Sequence, residues 1–214
     1  MNSRLEKAQQ AIYTIKHYAP RNPAGQVASV SAKAFAVSPH DFATVAHPFR
    51  GHESFNLWKD DEPQENPNRR RIPNTGDDNI SVVFNHDLDI ALIRSNNAAA
   101  AATLDAQKQW VSWSRKLWLL SSFNDQAPVR LQRDQDITQD LQDHIARTGQ
   151  YGLDPSHIEA FTGPFTAKAG NSGLPIVNQD GHLVSVQLGD DDRGFYVYGP
   201  KQKALLDFIQ EHTR

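Results

Sequence analysis

The sequence predicts an all-β domain of the sandwich or barrel class, closed by a C-terminal helix. Three observations carry this expectation. Short apolar stretches with rough period-two alternation recur along the chain, punctuated by turn residues. A second set of such stretches starts after a break near residues 95–110. Near the C-terminus, Ala204, Leu205, Phe208 and Ile209 form one apolar stripe at helical spacing.

In chain order, Leu5, Ala8 and Ile12 fall at helical spacing and predict a short N-terminal helix, although residues 11–18 could equally begin the first strand. After the turn signal Pro20-Arg21-Asn22-Pro23, residues 27–37 read as a strand. Ser38-Pro39-His40-Asp41 reads as a tight turn, and residues 42–46 as the returning strand. Residues 60–78 hold Pro63, Pro67 and Pro73 among many polar residues, which predicts a long exposed loop. Strands are expected at 80–84 and 90–93, and the alanine tract 98–102 is a weak helix signal or a connector. The second set comprises 117–123, 157–161, 174–177, 182–188 and 195–198. Trp110, Trp113 and Trp118 read as core or strand-face residues. The expected division is 1–97, a connector at 98–110, and 111–214.

Composition narrows the function classes. A chain of 214 residues suits one domain or two small packed halves with a real core. With 38% hydrophobic and 22% charged residues it is neither disordered nor membrane-spanning in character. A net charge of -3 supplies no general basic field for nucleic acid. Arg69-Arg70-Arg71, set among acids and prolines, reads as a solvated loop. The absence of cysteine excludes disulfides, thiolate zinc sites and cysteine nucleophiles. His40, His52, His86 and His144 match no zinc spacing, so no metal is expected. Residues 1–11 lack a signal-peptide apolar stretch, which points to a cytoplasmic protein, and Asn79-Ile80-Ser81 is then not a glycosylation site.

Three segments could carry chemistry. An apolar strand, residues 42–46, delivers His47 at its end. Asp87 and Asp89 precede the run Ile90-Ala91-Leu92-Ile93. Ser172 is flanked by glycines in Gly170-Asn171-Ser172-Gly173 before a strand. A hydroxyl is a poor nucleophile at neutral pH and needs an adjacent base, which needs a group to orient it. Alone, each segment reads most simply as a turn or surface feature. Together, in this order inside an all-β chain, they supply the residue types of a Ser-His-Asp triad.

These segments resemble the three signatures of chymotrypsin-like (trypsin superfamily) serine peptidases, closest to the disulfide-free Deg/HtrA-type and viral branches. Thr44-Val45-Ala46-His47, Asp89-Ile90-Ala91-Leu92 and Gly170-Asn171-Ser172-Gly173 with Pro175 carry the resemblance, with 42 residues between the first pair of candidates and 83 between the second. Residues 176–184 resemble the strand, turn and strand that follow the nucleophile. Leu174 stands where the family usually has a second glycine, and Pro48 where Cys or Val is common.

The resemblance implies two packed six-stranded antiparallel β-barrels with a terminal helix. It implies a cofactor-free endopeptidase acting on a protein or peptide through an acyl-enzyme, with no nucleic-acid or membrane partner; oligomeric state stays open. A bacterial or a host-cell cytosol would be its compartment, and a full Deg-type architecture with its peptide-binding module is not expected in this chain. Ser172 would be the nucleophile, His47 the base and Asp89 its orienting acid; Asp87 is the rival, set aside because Asp89 abuts Ile-Ala-Leu. Gly170 and Ser172 would form the oxyanion hole. Thr166 and Ala167 would lie at the base of the substrate pocket and Gln187 on its wall, with Ser185 matching a serine that supports the catalytic aspartate. No acidic residue falls among these, which implies a small or medium uncharged side chain before the cleaved bond. Two rival readings remain: a catalytically inactive trypsin-fold binding module, and an α/β-hydrolase esterase. The latter needs Gly-x-Ser-x-Gly on a strand-to-helix turn, whereas Leu174 and a strand follow Ser172-Gly173 here.

Overall fold

The computed structural model describes residues 3–52, 54–59, 72–73, 79–96, 99–106, 116–121, 127–149, 152–165, 168–191 and 193–213. Strand pairing sorts them into two antiparallel sheets of seven strands, one from each half of the chain. The first contains β1 (Ile12–Tyr18), β2 (Ser29–Ala36), β3 (Asp41–Val45), β4 (Ser54–Lys59), β5 (Ile72–Pro73), β6 (Ile80–Asn85) and β7 (Ile90–Ser95). Their order is β5-β4-β1-β2-β3-β7-β6. The second contains β8 (Leu117–Leu119), β9 (Val129–Asp134), β10 (Ile158–Thr162), β11 (Pro175–Asn178), β12 (Leu183–Val186), β13 (Gly189–Asp190) and β14 (Tyr196–Pro200). Here the order is β12-β11-β8-β9-β10-β14-β13. β5 and β13 are two-residue pieces at sheet ends, so each half keeps the six principal strands expected.

β12 and β13 stand at opposite ends of the strand order, yet only Gln187 and Leu188 separate them in the chain. The second sheet therefore closes on itself: this stretch pairs with β11 through its first part and with β14 through its last. The Gln187 N–H donates to the Leu174 carbonyl at 2.8 Å and the Leu188 N–H to Tyr198 at 2.9 Å, carrying the pairing across the join. Closure leaves no long unpaired edge. In the first sheet the ring of Phe49 bridges β4 and β6, meeting Phe55 at 5.5 Å and Phe84 at 5.1 Å.

Strand burial follows from which faces are covered. β7 buries five of its six residues, Ile90, Ala91, Leu92, Ile93 and Ser95, as a strand covered on both faces must. β6 beside it alternates between half-buried and exposed positions, as a strand with one wet face does. Each fully buried side chain of the class of Phe35, Phe42, Ile93 or Phe161 contributes roughly 1.5–3 kcal/mol. Within the second core Arg133 and Glu159, both buried, form an ion pair at 2.8 Å, and burial pushes the Glu159 carboxyl above its usual range.

Both readings of the N-terminus hold in part: a helix α1 (Ser3–Gln9) stops just before β1 starts. The closing helix is α3 (Gln202–His212), where Leu206 joins Leu205, Phe208 and Ile209 in the core. The termini cross over. Gln9 of α1 donates to the Ser121 carbonyl of the second half, while Arg94 of β7 bonds Asp41 and the His212 carbonyl of α3. One element was not expected, the helix α2 (Gln135–Thr148). It buries only Leu141 and Ile145, so its stripe is narrow, and it is set by Asp134 capping the Ile137 N–H and by Gly149 at φ 61°. β4 and β9 were also missed, as were the two-residue strands β13 and β5, the latter inside the segment 60–78 expected to be a loop. The alanine tract is irregular over the described residues 99–102 and serves as a connector. Trp118 stands half-buried on β8 against the core; Trp110, Trp113 and Arg69-Arg70-Arg71 lie outside the described residues. Among the described residues no helix is long and apolar enough to cross a membrane.

Candidate active site

β3 runs up to a single 3-10 turn, His47–Phe49, started by Pro48, so His47 leaves the sheet rigidly placed. Its Nδ1 lies 2.5 Å from Oδ2 of Asp89. Asp89 sits in the turn between β6 and β7 and is 3% exposed, whereas Asp87 is exposed. Register explains the meeting, because Val45 pairs with Ile90 and the Ala46 N–H donates to the Asp89 carbonyl at 2.8 Å. Asp89 is also the one described residue other than glycine with positive φ, at 53°. A left-handed aspartate is tolerated but uncommon, and such backbones cluster at sites where geometry serves chemistry. A buried carboxylate on one imidazole nitrogen favours the Nδ1–H tautomer and leaves Nε2 as an acceptor.

Ser172 stands in a tight loop tied down on both sides. The Asn171 N–H returns to the Lys168 carbonyl, the Gly173 N–H donates to Gln187 at 2.7 Å, and the Leu174 N–H donates to Asn171. Across the interface the Lys33 N–H of β2 donates to the Ser172 carbonyl at 2.7 Å. Two glycines make this possible. Gly170 has φ +91°, and a Cβ there would meet only ordinary contacts, 3.6 Å from the Ser31 carbonyl oxygen, so its need is conformational alone. Gly173 has φ +94°, and a Cβ there would lie 1.8 Å from the Lys33 carbonyl oxygen. That oxygen cannot yield, since it also accepts from the buried Thr44 hydroxyl at 2.7 Å. Gly173→Ala is therefore expected to cost about 3 kcal/mol or more, against about 1 kcal/mol for Gly170→Ala. Urea unfolding of the two variants side by side checks this, and equal losses would refute the close-approach account. Among the described residues, neither Gly170 nor Ser172 gives its N–H to a protein acceptor.

His47, Asp89 and Ser172 line one cleft of about 390 Å³ together with Gly189, Asp190 and Tyr198. Of the pocket residues expected from sequence, Thr166 and Ala167 lie outside the described residues. Ser185 is fully buried behind the wall, and its hydroxyl donates to the Pro200 carbonyl at 2.7 Å rather than supporting Asp89. Gln187 is buried too, with its amide nitrogen 3.2 Å from Asp190 Oδ2. The wall itself is carried by Leu188, Gly189 and Asp190. An acidic side chain thus does line the cleft, against expectation. The resemblance implied Gln187 on the pocket wall; the pairing that continues from β12 to β13 buries it behind that wall.

His17 is a further residue the sequence reading passed over. It is 1% exposed on β1, packed on Phe49 at 4.4 Å between ring centroids and facing His52 at 6.1 Å. Burial, then the nearby His52 and His47, push its pKa down to about 3.

The sequence matches no protein-family model and none of the curated proteins. Solved structures do match. The active form of the Rv3671c protease from M. tuberculosis superposes with TM-score 0.65 at 13% identity, covering 98% of this chain and 83% of that one. Its inactive form gives TM-score 0.64 at 12% identity, covering 100% and 94%. Another inactive form of that protein, carrying a serine-to-alanine substitution, gives 0.59 at 15% identity over 100% and 94%. Identities this low carry the fold, and the chemistry has to come from the site.

Proposed function

From this chymotrypsin-like fold, we propose that the chain is a serine endopeptidase that hydrolyses peptide bonds through Ser172, His47 and Asp89. The observation that carries the reading is the buried Asp89 carboxylate held 2.5 Å from His47 Nδ1, in the same cleft as Ser172. With Nδ1–H bonded to Asp89, His47 Nε2 takes the Ser172 proton as the hydroxyl oxygen attacks the scissile carbonyl. The N–H groups of Gly170 and Ser172 receive the oxyanion, each worth on the order of 3 kcal/mol in the transition state. His47 then protonates the leaving amine, an acyl-Ser172 ester remains, and water activated by the same imidazole hydrolyses it. Neither metal nor cofactor enters these steps. The substrate is a protein or peptide, in processing or regulated proteolysis, because an extended chain fits a cleft between two sheets.

A fluorophosphonate probe tests the reading. The wild type is expected to label once, at Ser172, and Ser172→Ala not at all. A folded wild type that stays unlabelled would sink it in favour of a binding module with a silent site.

A further inference from the structure

Among the described residues, two backbone hydrogen bonds cross between the halves of the chain beside the proposed triad. One joins the Lys33 N–H to the Ser172 carbonyl, at the nucleophile. The other joins the Asp154 N–H to the Asp87 carbonyl at 3.0 Å, in the turn that carries Asp89.

That turn depends on its anchors. Asp89 is buried at φ 53°, a backbone that persists only where its surroundings over-determine it. Its Oδ2 meets His47, but its Oδ1 has no hydrogen-bond partner among the described residues, and the Ser185 hydroxyl is given to Pro200. With a single side-chain bond, the carboxylate is placed by the backbone beneath it. Inside the turn the Leu88 N–H donates to Asn85 Oδ1 at 3.1 Å, and the Asp89 N–H to the His86 carbonyl at 3.2 Å. The Asp89 carbonyl accepts from Ala46. The Asp87 carbonyl, between them, is the one held from the second half, while the Asp87 side chain stays exposed.

The segment that holds it is itself fixed. It follows α2, where the Gly152 N–H returns to the Gly149 carbonyl at 3.1 Å and Gly152, at φ 68°, redirects the chain. α2 is tied to β10, since Gln142 Nε2 donates to the Ile158 carbonyl and the Thr138 hydroxyl oxygen accepts from the Ala160 N–H. The Asp154 carboxylate caps the 3-10 turn Pro155–His157 by accepting from the Ser156 N–H at 2.9 Å. Its side chain and its backbone N–H therefore serve different partners. Leu153, buried, lines the cleft together with His47 and Asp89.

We propose that Leu153 and Asp154 are positioning residues for Asp89, an inference that rests on the proposed triad. The Asp154 N–H pins the aspartate's turn from the opposite half, and Leu153 keeps water from the bond between Asp89 and His47. A displacement of about 1 Å at such a bond costs on the order of a hundredfold in rate.

Asp154 has φ -79°, which proline accepts. Asp154→Pro therefore removes the N–H, and Asp154→Ala, which loses the same carboxylate but keeps the N–H, is its reference. Counted per Ser172 labelled by the fluorophosphonate, kcat is expected to be about tenfold lower in the proline variant than in the alanine variant, with KM within about twofold. Leu153→Ala is expected to lower kcat about fivefold and Leu153→Met to restore most of it. This second pair carries the test alone if the proline variant does not fold. In an Asp89→Asn background, neither Asp154→Pro nor Leu153→Ala is expected to slow labelling further by more than about twofold, because no carboxylate remains to be positioned. Equal kcat in the two Asp154 variants with full activity in Leu153→Ala, or undiminished losses in the Asp89→Asn background, overturns the positioning role and leaves the peptidase reading intact. A folded wild type that neither labels nor cleaves overturns both.

Discussion

Asp89→Asn is expected to lower kcat by about three to four orders of magnitude while leaving the fold intact. Asparagine accepts the left-handed backbone that Asp89 adopts at φ 53° and has the same volume, so the change is confined to the bond with His47. An amide at that position no longer holds the proton on Nδ1. The imidazole then presents a protonated Nε2 to Ser172, which cannot take up the hydroxyl proton. Asp87→Asn, two residues away and exposed, is expected to change kcat by less than about twofold, within the range of surface substitutions. Steady-state hydrolysis of one peptide by both variants, normalised to folded protein, decides between the carboxylates. Loss of activity in the Asp87 variant, or full activity in the Asp89 variant, would overturn the assignment.

That choice was legible in the sequence only as adjacency. Asp89 was preferred because it abuts Ile90-Ala91-Leu92, and in the structure the pairing of Val45 with Ile90 sets that aspartate next to the end of β3. The strands that read most clearly, 80–84 and 90–93, are those whose apolar pattern is uninterrupted, and β6 and β7 lie there. α2 went unread although Ile137, Leu141 and Ile145 recur at i, i+4 and i+8, because one narrow apolar row on a strongly polar background is a sparse signal beside the broader stripe of α3. The glycines at 170 and 173 could be noticed in the sequence, but the need for Gly173 comes from Lys33, 140 residues earlier in the chain, pressing on it from the other half. Long-range contact also decides which residues reach the pocket. Whether 185, 187 or 190 faces the cleft depends on the break between β12 and β13, where one stretch passes from one partner strand to another, and local alternation cannot register it.

Acid is expected to destabilise this protein through His17, well before its buried carboxylates become the dominant cause. Neither ring nitrogen of His17 has a hydrogen-bond partner among the described residues, so the neutral form is buried without compensation and the charged form would be worse. The groups that face it are Phe49 and His52 from the segment after β3, Phe55 from β4, and His47 through its field. None can carry a counter-charge, and the two histidines add repulsion once protonated. Its folded pKa, about 3, lies below the ordinary 6.5. The neutral ring's contribution is therefore fully present above pH 6.5 and is lost as pH falls toward 3, because the unfolded chain takes up the proton first. The linkage amounts to about 3 kcal/mol by pH 4.5, a large fraction of an ordinary domain's stability. His17→Phe, or His17→Leu if the larger ring packs poorly, removes the titration. Urea unfolding of wild type and variant at pH 7.5, 5.5 and 4.5 is expected to give stability curves that diverge as pH falls, the wild type declining more steeply. Parallel curves would show that His17 gains a partner on folding. Because the same residue packs on Phe49, within the turn that carries His47, the acid limb of activity is expected to follow the unfolding curve in the wild type and to separate from it in the variant.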